Sequence, residues 1–406
     1  MSSSGAKPKI LVLLGCYLPG FRSGGPVRTI SCMVEALAPR FDFHIVTLNH
    51  DSGSTEIYDS VRTGAWNQVG NAQVYYIPKW SLSLVRSLAR GLSPDLVYLN
   101  GFFATSSIHG LLARKLGMLT SAPVVLATRG DLAGGALGLK TPKKRAFMSV
   151  AYWFGLYRDL YWHASSEREK SEMLSQLQSF GVTSDRIQVA PDLGSGYAPA
   201  SSERPAKRPG AVRFVTLSRI TRMKNLPFTL ELLSELQGEV SLDIFGPVED
   251  RNLWSECQSR IATLPPNVTV VHHGAVAPER VLEVMSQRHF FSLPTLGENY
   301  GHFIIEAASS GCPVVISDRT QCTGLEQKNS GWDISLEDRA QWKSVLQRCI
   351  DMSSEQYESM AESASRFGQA VMSSPENLQA NVDLFRRAIQ ERKANSADAL
   401  ARGTVR

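Results

Sequence analysis

The sequence predicts an α/β protein of two doubly wound domains, and three observations carry that prediction. Short β-branched runs alternate with amphipathic helical stretches along the chain, the pattern of βαβ units and parallel sheets. Many of these runs are continuously apolar, as strands covered on both faces require. The length of 406 residues exceeds one ordinary domain, so two are expected.

In the first half, strands are expected at residues 9–15, 43–48, 74–77, 96–99, 124–127 and 160–164. A second series follows at 212–217, 242–245, 268–271, 289–293 and 313–316. Between them, SGYAPASSERPAKRPG at 195–210 is loaded with Pro, Ser, Gly and Arg, the composition of a linker. The expected organisation is a first domain at 1–195, a linker at 196–210 and a second domain at 211–375. The helical pattern at 376–390 suits a terminal helix, spanning 376–392, that packs back on the first domain. From 393 to 406 the chain reads KANSADALARGTVR, polar and rich in small residues, and is expected to fray.

Hydrophobic residues at 43% and charged residues at 20% describe packed globular domains. The apolar run from Ile10 to Leu14 is only a strand long and no cleavage site follows it. No stretch nears the roughly 18 apolar residues that span a bilayer. A cytoplasmic location is expected, with peripheral contact at the inner face of the membrane left open. The six cysteines (Cys16, Cys32, Cys257, Cys312, Cys322 and Cys349) form no C-x-x-C pair, so free thiols are expected and metal-ligand spacing is absent. Residues 1–195 carry 20 Lys and Arg against 13 Asp and Glu, whereas the rest carries 23 against 25. A basic first half suits an anionic partner, although a well-solvated surface would look the same.

Three segments carry chemistry. The first, GCYLPGFRSGG at 15–25, follows the first strand, and Pro26 then opens a helix. Gly24 and Gly25 allow close backbone approach to a phosphate, and the helix start offers N–H donors. The segment is neither G-x-G-x-x-G nor a P-loop, and an ordinary strand–helix loop reads equally well. The second, LSRITRMKNL at 217–226, places Arg219 and Lys224 in a loop before a helix. Two converging cations clamp a diphosphate and neutralise a leaving group; alone, they also read as surface charges. The third, PTLGENYGHFIIEAASSGCPVVISD at 294–318, sets Glu298 in a glycine-containing loop and Glu306 in the helix that follows. Asn299, Tyr300, Gly301, His302 and Phe303 would form that helix start, a seat for an anion. Carboxylates beside it accept hydrogen bonds from paired hydroxyls.

With Arg219 and Lys224 upstream and Gly24 and Gly25 near the start, the Glu298-x7-Glu306 pattern resembles the retaining GT-B glycosyltransferases, closest to the large family-4 branch of bacterial exopolysaccharide and lipopolysaccharide assembly. The resemblance extends over SGGPVRTI, LNGFF, RGDLAGGAL, SRITRMKNL, IFGPVED, LPTLGENYGHFIIEA and GLEQKNSGWDISLED, in that order. It implies two Rossmann-like domains facing across a cleft and transfer from a nucleoside-diphosphate sugar to an acceptor, with retention and without a divalent metal or other cofactor. Arg219 and Lys224 would hold the diphosphate, Glu306 the ribose hydroxyls and Glu298 the sugar hydroxyls. The backbone from Asn299 to Phe303 would lie near sugar and phosphate, and Gly24 and Gly25 would let the first domain close over the phosphates.

Two departures stand out. Many relatives carry a His where this chain reads ATRGDL, with Arg129, Gly130 and Asp131. A guanidinium cannot act as a base near neutral pH, so Arg129 is expected to bind phosphate or acceptor and Asp131 to accept the proton, against the plainer reading of a structural Arg–Asp pair. Relatives also often show a Trp where Gln321 and Cys322 stand here. Of the histidines, His302 is expected to line the site. His163, His272 and His273 read at least as well as structural residues.

Residues 140–158, KTPKKRAFMSVAYWFGLYR, contain no acid and mix Lys140, Lys143, Lys144, Arg145 and Arg158 with aromatic residues. A basic amphipathic helix can lie on an anionic membrane, which suits a lipid-linked acceptor; a core-facing helix with solvated lysines is the plainer reading. No nucleic-acid motif accompanies these charges, so no nucleic-acid partner is expected, and the oligomeric state is left open. Two other functions share the pattern, a nucleotide-sugar epimerase of similar architecture and a noncatalytic nucleotide-sugar-binding protein.

Overall fold

The computed structural model describes residues 6–20, 22, 24–119, 121–133, 141–194 and 204–403. It divides into two units, residues 1–193 with 375–406, and residues 194–374. Lys140 and residues 195–203 of the expected linker lie outside the described residues.

The first unit holds an eight-stranded sheet in the order β3-β4-β2-β1-β5-β6-β7-β8. Its strands are β1 (Lys9–Leu13), β2 (Asp42–Leu48), β3 (Trp66–Val69), β4 (Ala72–Ile77), β5 (Leu96–Asn100), β6 (Val124–Ala127), β7 (Tyr161–Ala164) and β8 (Ile187–Val189). All neighbours are parallel except β3 and β4, a hairpin turning at Gly70 and Asn71. Alternation along β1 sends Ile10 and Val12 to a core on one face and Leu11 and Leu13 to a core on the other, as the two-residue period of a strand dictates.

The second unit repeats the plan with six parallel strands in the order β11-β10-β9-β12-β13-β14. These are β9 (Ala211–Leu217), β10 (Glu239–Phe245), β11 (Val268–His272), β12 (Phe290–Leu293), β13 (Val314–Ser317) and β14 (Gly331–Ile334). Counted from β9, this is the Rossmann order 3-2-1-4-5-6, whose direction reverses between β9 and β12. The first sheet reverses in the same way between β1 and β5. Ligands of such sheets bind beyond the carboxyl ends of strands at these switch points, so the topology selects the loops after β1, β5, β9 and β12.

Two packing details shape the second unit. Helix His302–Ser309 lies against helix Ser354–Met372, and a Cβ on Gly368 would stand 2.2 Å from the Ser309 nitrogen. Residues 204–210 also pack on this unit rather than spanning free: the Lys207 ammonium donates to the carbonyls of Ile350 (2.8 Å) and Met352 (2.9 Å).

The last helix, Pro375–Gly403, belongs to the first unit and puts Val382, Phe385 and Ala388 into its core. The tail expected to fray from 393 is helical through Gly403.

Candidate functional site

In the second unit, the loop after β9 and the loop after β12 meet. Thr295 Oγ1 donates to the Met223 carbonyl (3.0 Å), and the Leu296 N–H donates to the same oxygen (2.8 Å). This tie brings Lys224, at the end of the 3-10 turn Arg222–Lys224, against Glu298, and the two form a short ion pair. Both side chains are largely withdrawn from solvent. Arg219 stands earlier in the same loop and donates through Nη1 to both carboxylate oxygens of Glu249 (3.0 and 3.1 Å). Glu249, in the loop after β10, went unread in the sequence because nothing in IFGPVED marks it.

The third segment takes its shape from Gly301. It caps helix His302–Ser309 with φ 79°, where an added Cβ would meet Ile304 Cδ1 at 2.9 Å and Glu298 Cγ at 3.2 Å. Only glycine adopts this conformation without strain, and its bare Cα lets Glu298 pack over the helix start. His302 and Tyr300 are buried beside each other, their rings 4.8 Å apart. Phe303 packs partly against the core on this face. Glu306 follows about one turn after His302 and is only 2% exposed, whereas Glu298 stays partly open. The Glu298 N–H donates to the Arg319 carbonyl (3.1 Å), and the Gln321 side chain donates to the Asn299 carbonyl. Gln321, in the position where relatives often show Trp, thus braces the loop from the side of β13. The structure therefore brings Lys224, Glu298, the backbone of residues 299–303 and Glu306 into one neighbourhood, with Arg219 earlier in the loop after β9.

In the first unit, Gly24 takes φ 64° and caps helix Gly25–Leu37, with Pro26 in the first turn. Gly25 has open space around its Cα. Arg129 stands beyond β6 in a left-handed conformation, φ 55°, which costs a side-chain-bearing residue roughly 1–2 kcal/mol. What offsets that cost is a buried network. Its Nη1 contacts Asp192 Oδ1 (2.5 Å), Nε and Nη2 donate to Asn100 Oδ1 (3.1 and 3.0 Å), and Nη2 also donates to the Tyr98 hydroxyl (2.7 Å). Burial acts to lower its pKa, but Asp192, Tyr98 and Glu169 hold it above its ordinary value. The role expected of Arg129, an open cation for phosphate or acceptor, is thereby corrected: its guanidinium is spent on an interior cross-link. The structural Arg–Asp pair exists, but the acid is Asp192, reached across 63 positions, and not the neighbouring Asp131.

His163 is part of the same network. Its Nε2 stands 2.7 Å from the Ala190 carbonyl and must donate to it, which leaves Nδ1 to accept from the Tyr98 hydroxyl (2.6 Å). Burial, with Arg129 adding repulsion, lowers its pKa to about 4, so the ring is neutral and structural. Asp131 has a different environment. Its Oδ2 accepts from the N–H groups of Phe102 (2.7 Å) and Phe103 (3.3 Å), at the end of β5. Burial raises its pKa, while those N–H groups and the charge of Lys144 pull it back. The turn between them is set by Glu169, a buried carboxylate that accepts from the Gly130 N–H (2.7 Å), Thr128 Oγ1 (2.7 Å) and Ser165 Oγ (2.8 Å). Neither Glu169 nor Asp192 carries a local motif, so sequence reading had no signal for them. His272 donates to the Gly246 carbonyl (2.9 Å), and His273 pairs with Asp243 (2.6 Å) and stacks on Phe245.

Among the described residues, no group of three or more His, Cys, Asp or Glu side chains is placed to hold a metal ion, and no helix is long and apolar enough to cross a membrane.

Residues 199–367 match the model of the family described as Glycosyl transferases group 1. No curated protein matches the sequence. Solved structures similar to it include sucrose-phosphate synthase from Thermosynechococcus elongatus (TM-score 0.71, 14% identity, covering 95% of this chain and 100% of that one). Anabaena HepE in complex with UDP and glucose gives a TM-score of 0.66 at 15% identity, covering 95% and 100%. WaaG, a glycosyltransferase involved in lipopolysaccharide biosynthesis, gives 0.65 at 13%, covering 94% and 98%. The chain has the GT-B glycosyltransferase fold, and the match to the glycosyl transferases group 1 model falls within its second unit.

Proposed function

We propose that the chain is a retaining glycosyltransferase of the family-4 type. In this reading it moves a sugar from a nucleoside-diphosphate sugar to a lipid-linked glycan acceptor, during assembly of a cell-surface polysaccharide. The observation that carries the reading is the Lys224–Glu298 ion pair at the start of helix His302–Ser309, with Glu306 buried about one turn further in. A cation, a carboxylate and a helix start at one place suit a ligand that is both anionic and rich in hydroxyls. Arg219 and Lys224 hold the diphosphate, Glu306 the ribose hydroxyls and Glu298 the sugar hydroxyls.

In the reaction, the bond between the anomeric carbon and the β-phosphate oxygen breaks, and a bond to the acceptor hydroxyl oxygen forms on the same face. The acceptor proton passes to the departing diphosphate or to Asp131, the carboxylate at the end of β5. Lys224, Arg219 and the helix dipole stabilise the charge gathering on the diphosphate, so no divalent metal is required. The reported complexes of HepE with UDP and glucose and with UDP-glucose support a sugar-nucleotide donor and make UDP the first base to try. A lipid-linked acceptor would place the protein at the inner face of the cytoplasmic membrane.

The test is calorimetric titration with UDP, GDP, ADP and TDP in the presence of EDTA, followed by turnover of the matching sugar nucleotide with lipid-linked acceptors. Binding of one diphosphate that is lost in Arg219→Ala, with a product keeping the donor's anomeric configuration by NMR, supports the proposal. Binding to none of the four refutes the donor site. Conversion of the free sugar nucleotide without transfer would identify an epimerase, and binding without any turnover a noncatalytic protein.

A further inference from the structure

A pocket of about 550 Å³ opens in the first unit at the amino ends of β6 and β7 and just before β8, the edge of the sheet opposite Arg129 and Asp131. Five cations line it: Arg114, Lys115, Arg158, Arg186 and Arg392, with Asp159 the one acid among its described lining residues. They come from four separate places in the sequence, so no charge run announces them. Some are held by neutral backbone: Arg392 Nε donates to the Ser121 carbonyl (3.1 Å), and Arg114 donates to the Arg158 carbonyl. Arg186 has Glu391 at 4.0 Å. Burial depresses the pKa of Arg114, and Arg392 adds repulsion that Asp159 opposes. Positive charge gathered this closely is relieved by an anion.

Exposed apolar side chains adjoin part of the pocket's rim. Leu116, 57% exposed, lies between the lining residues Lys115 and Gly117. Trp153 (83% exposed) and Phe154 (57%) immediately precede the lining residue Gly155. Gly155 turns the chain with φ 67°, and a Cβ there would stand 3.3 Å from the Lys115 ammonium. The basic and aromatic segment at 140–158 is therefore divided. Met148, Ala151 and Tyr157 are in the core, Lys144 lies over the Phe103 ring near Asp131, and only its end presents aromatic rings to solvent.

We propose that the pocket receives the phosphate of an anionic membrane lipid, while Trp153, Phe154 and Leu116 enter the interfacial layer of the bilayer. These exposed apolar side chains decide for a lipid over a soluble phosphate: a free anion gains nothing from an exposed indole, whereas Trp beside cations is favoured where acyl chains meet headgroups. The site goes beyond the transfer reaction, since it needs neither donor nor acceptor.

Flotation of the full chain with vesicles tests the assignment, with nucleoside-diphosphate binding by the second unit measured on the same preparation. Vesicles of phosphatidylglycerol and phosphatidylcholine should carry the protein, and vesicles of phosphatidylcholine alone should not. Arg114→Gln and Arg392→Gln should each lower partitioning about fivefold. Trp153→Ala with Phe154→Ala should lower it at least as much, and since both rings face solvent, this variant keeps the test valid should an arginine variant fail to fold. Absence of vesicle binding while nucleotide binding persists overturns the membrane site and leaves the donor site standing. Vesicle binding unchanged in the Trp153→Ala, Phe154→Ala variant also overturns it. So does calorimetric binding of inorganic phosphate or pyrophosphate, lost in Arg114→Gln, without binding to vesicles.

Discussion

Asp192→Asn tests whether the first unit is held together at its switch point by the Arg129 network. The substitution keeps the shape of the side chain and removes one charge. Arg129 and Asp192 are 7% and 2% exposed as side chains, so water cannot replace the lost partner. Asn100 and Tyr98 would still accept from the guanidinium, but neither is charged. Breaking a buried pair by removing one partner costs roughly 3–5 kcal/mol. A further loss follows at Thr29 Oγ1, which donates to Asp192 Oδ2 (2.7 Å) and ties helix Gly25–Leu37 to this point. With a urea m-value of about 2 kcal/mol/M, that is a midpoint shift of roughly 1.5–2.5 M. The assay is urea unfolding followed separately in the two units, because a two-domain chain need not unfold in one step. Arg129→Met combined with Asp192→Leu should recover part of the loss, since an apolar pair leaves no charge buried. A cost below about 1 kcal/mol in the single variant, or a double variant no better than the sum of the singles, would refute the reasoning.

Four other outcomes are expected. His163 is neutral in the folded protein with a pKa lowered to about 4, so its contribution is complete above the unfolded value near 6.5 and is lost as pH falls from there toward 4. The first unit of the wild type should weaken over that window by roughly 3 kcal/mol, and the slope should flatten in His163→Gln when unfolding is followed against pH. Gly301→Ala forces a left-handed alanine and a contact with Glu298 Cγ; it should cost the second unit about 1–2 kcal/mol and weaken binding of a sugar nucleotide more than that of the bare diphosphate, by calorimetry. Gly368→Ala drives a Cβ onto the backbone of helix His302–Ser309 and should destabilise the second unit by at least roughly 1–3 kcal/mol, read from its thermal midpoint. Glu249→Gln removes the partner of Arg219; because exposed pairs are worth up to about 1 kcal/mol, diphosphate affinity should rise by no more than about fivefold, and a fall as large as that of Arg219→Ala would show that Glu249 positions the arginine.

The fold was legible because buried parallel strands write themselves as apolar runs: eleven spans such as 124–127 and 212–217 overlap strands of the structure. The strands left unread are those whose sequence hides them. In β3, Trp-Asn-Gln-Val is an edge strand half open to solvent; β8 is three residues long, and β14 starts on glycine. The second unit's loops were legible too, since glycine and charge stand together in Pro294–Phe303 and the backbone geometry demands the glycine at 301. The first unit's loop after β6 was not. Arg129 and Asp131 are two apart in sequence, yet one is served by Asp192 and the other by the backbone of Phe102 and Phe103. Pairing across 63 positions is a property of the closed sheet, and no local pattern encodes it.

The buried arginine bears on how transfer can work. A residue at this place that is permanently charged, enclosed and bonded to Asp192, Asn100 and Tyr98 can neither take a proton nor turn toward an acceptor. It links the end of β5, the loop after β6 and the segment after β8, next to the turn that carries Asp131. Asp131, proposed above to take the acceptor's proton, stands beside this network in an environment of mixed sense. Burial raises its pKa, whereas two backbone N–H groups and Lys144 oppose the rise. Asp131→Asn keeps an oxygen for both N–H groups and removes only the charge. If turnover falls while the first unit's stability holds, the carboxylate acts in the reaction. If turnover is untouched, the leaving diphosphate takes the proton alone.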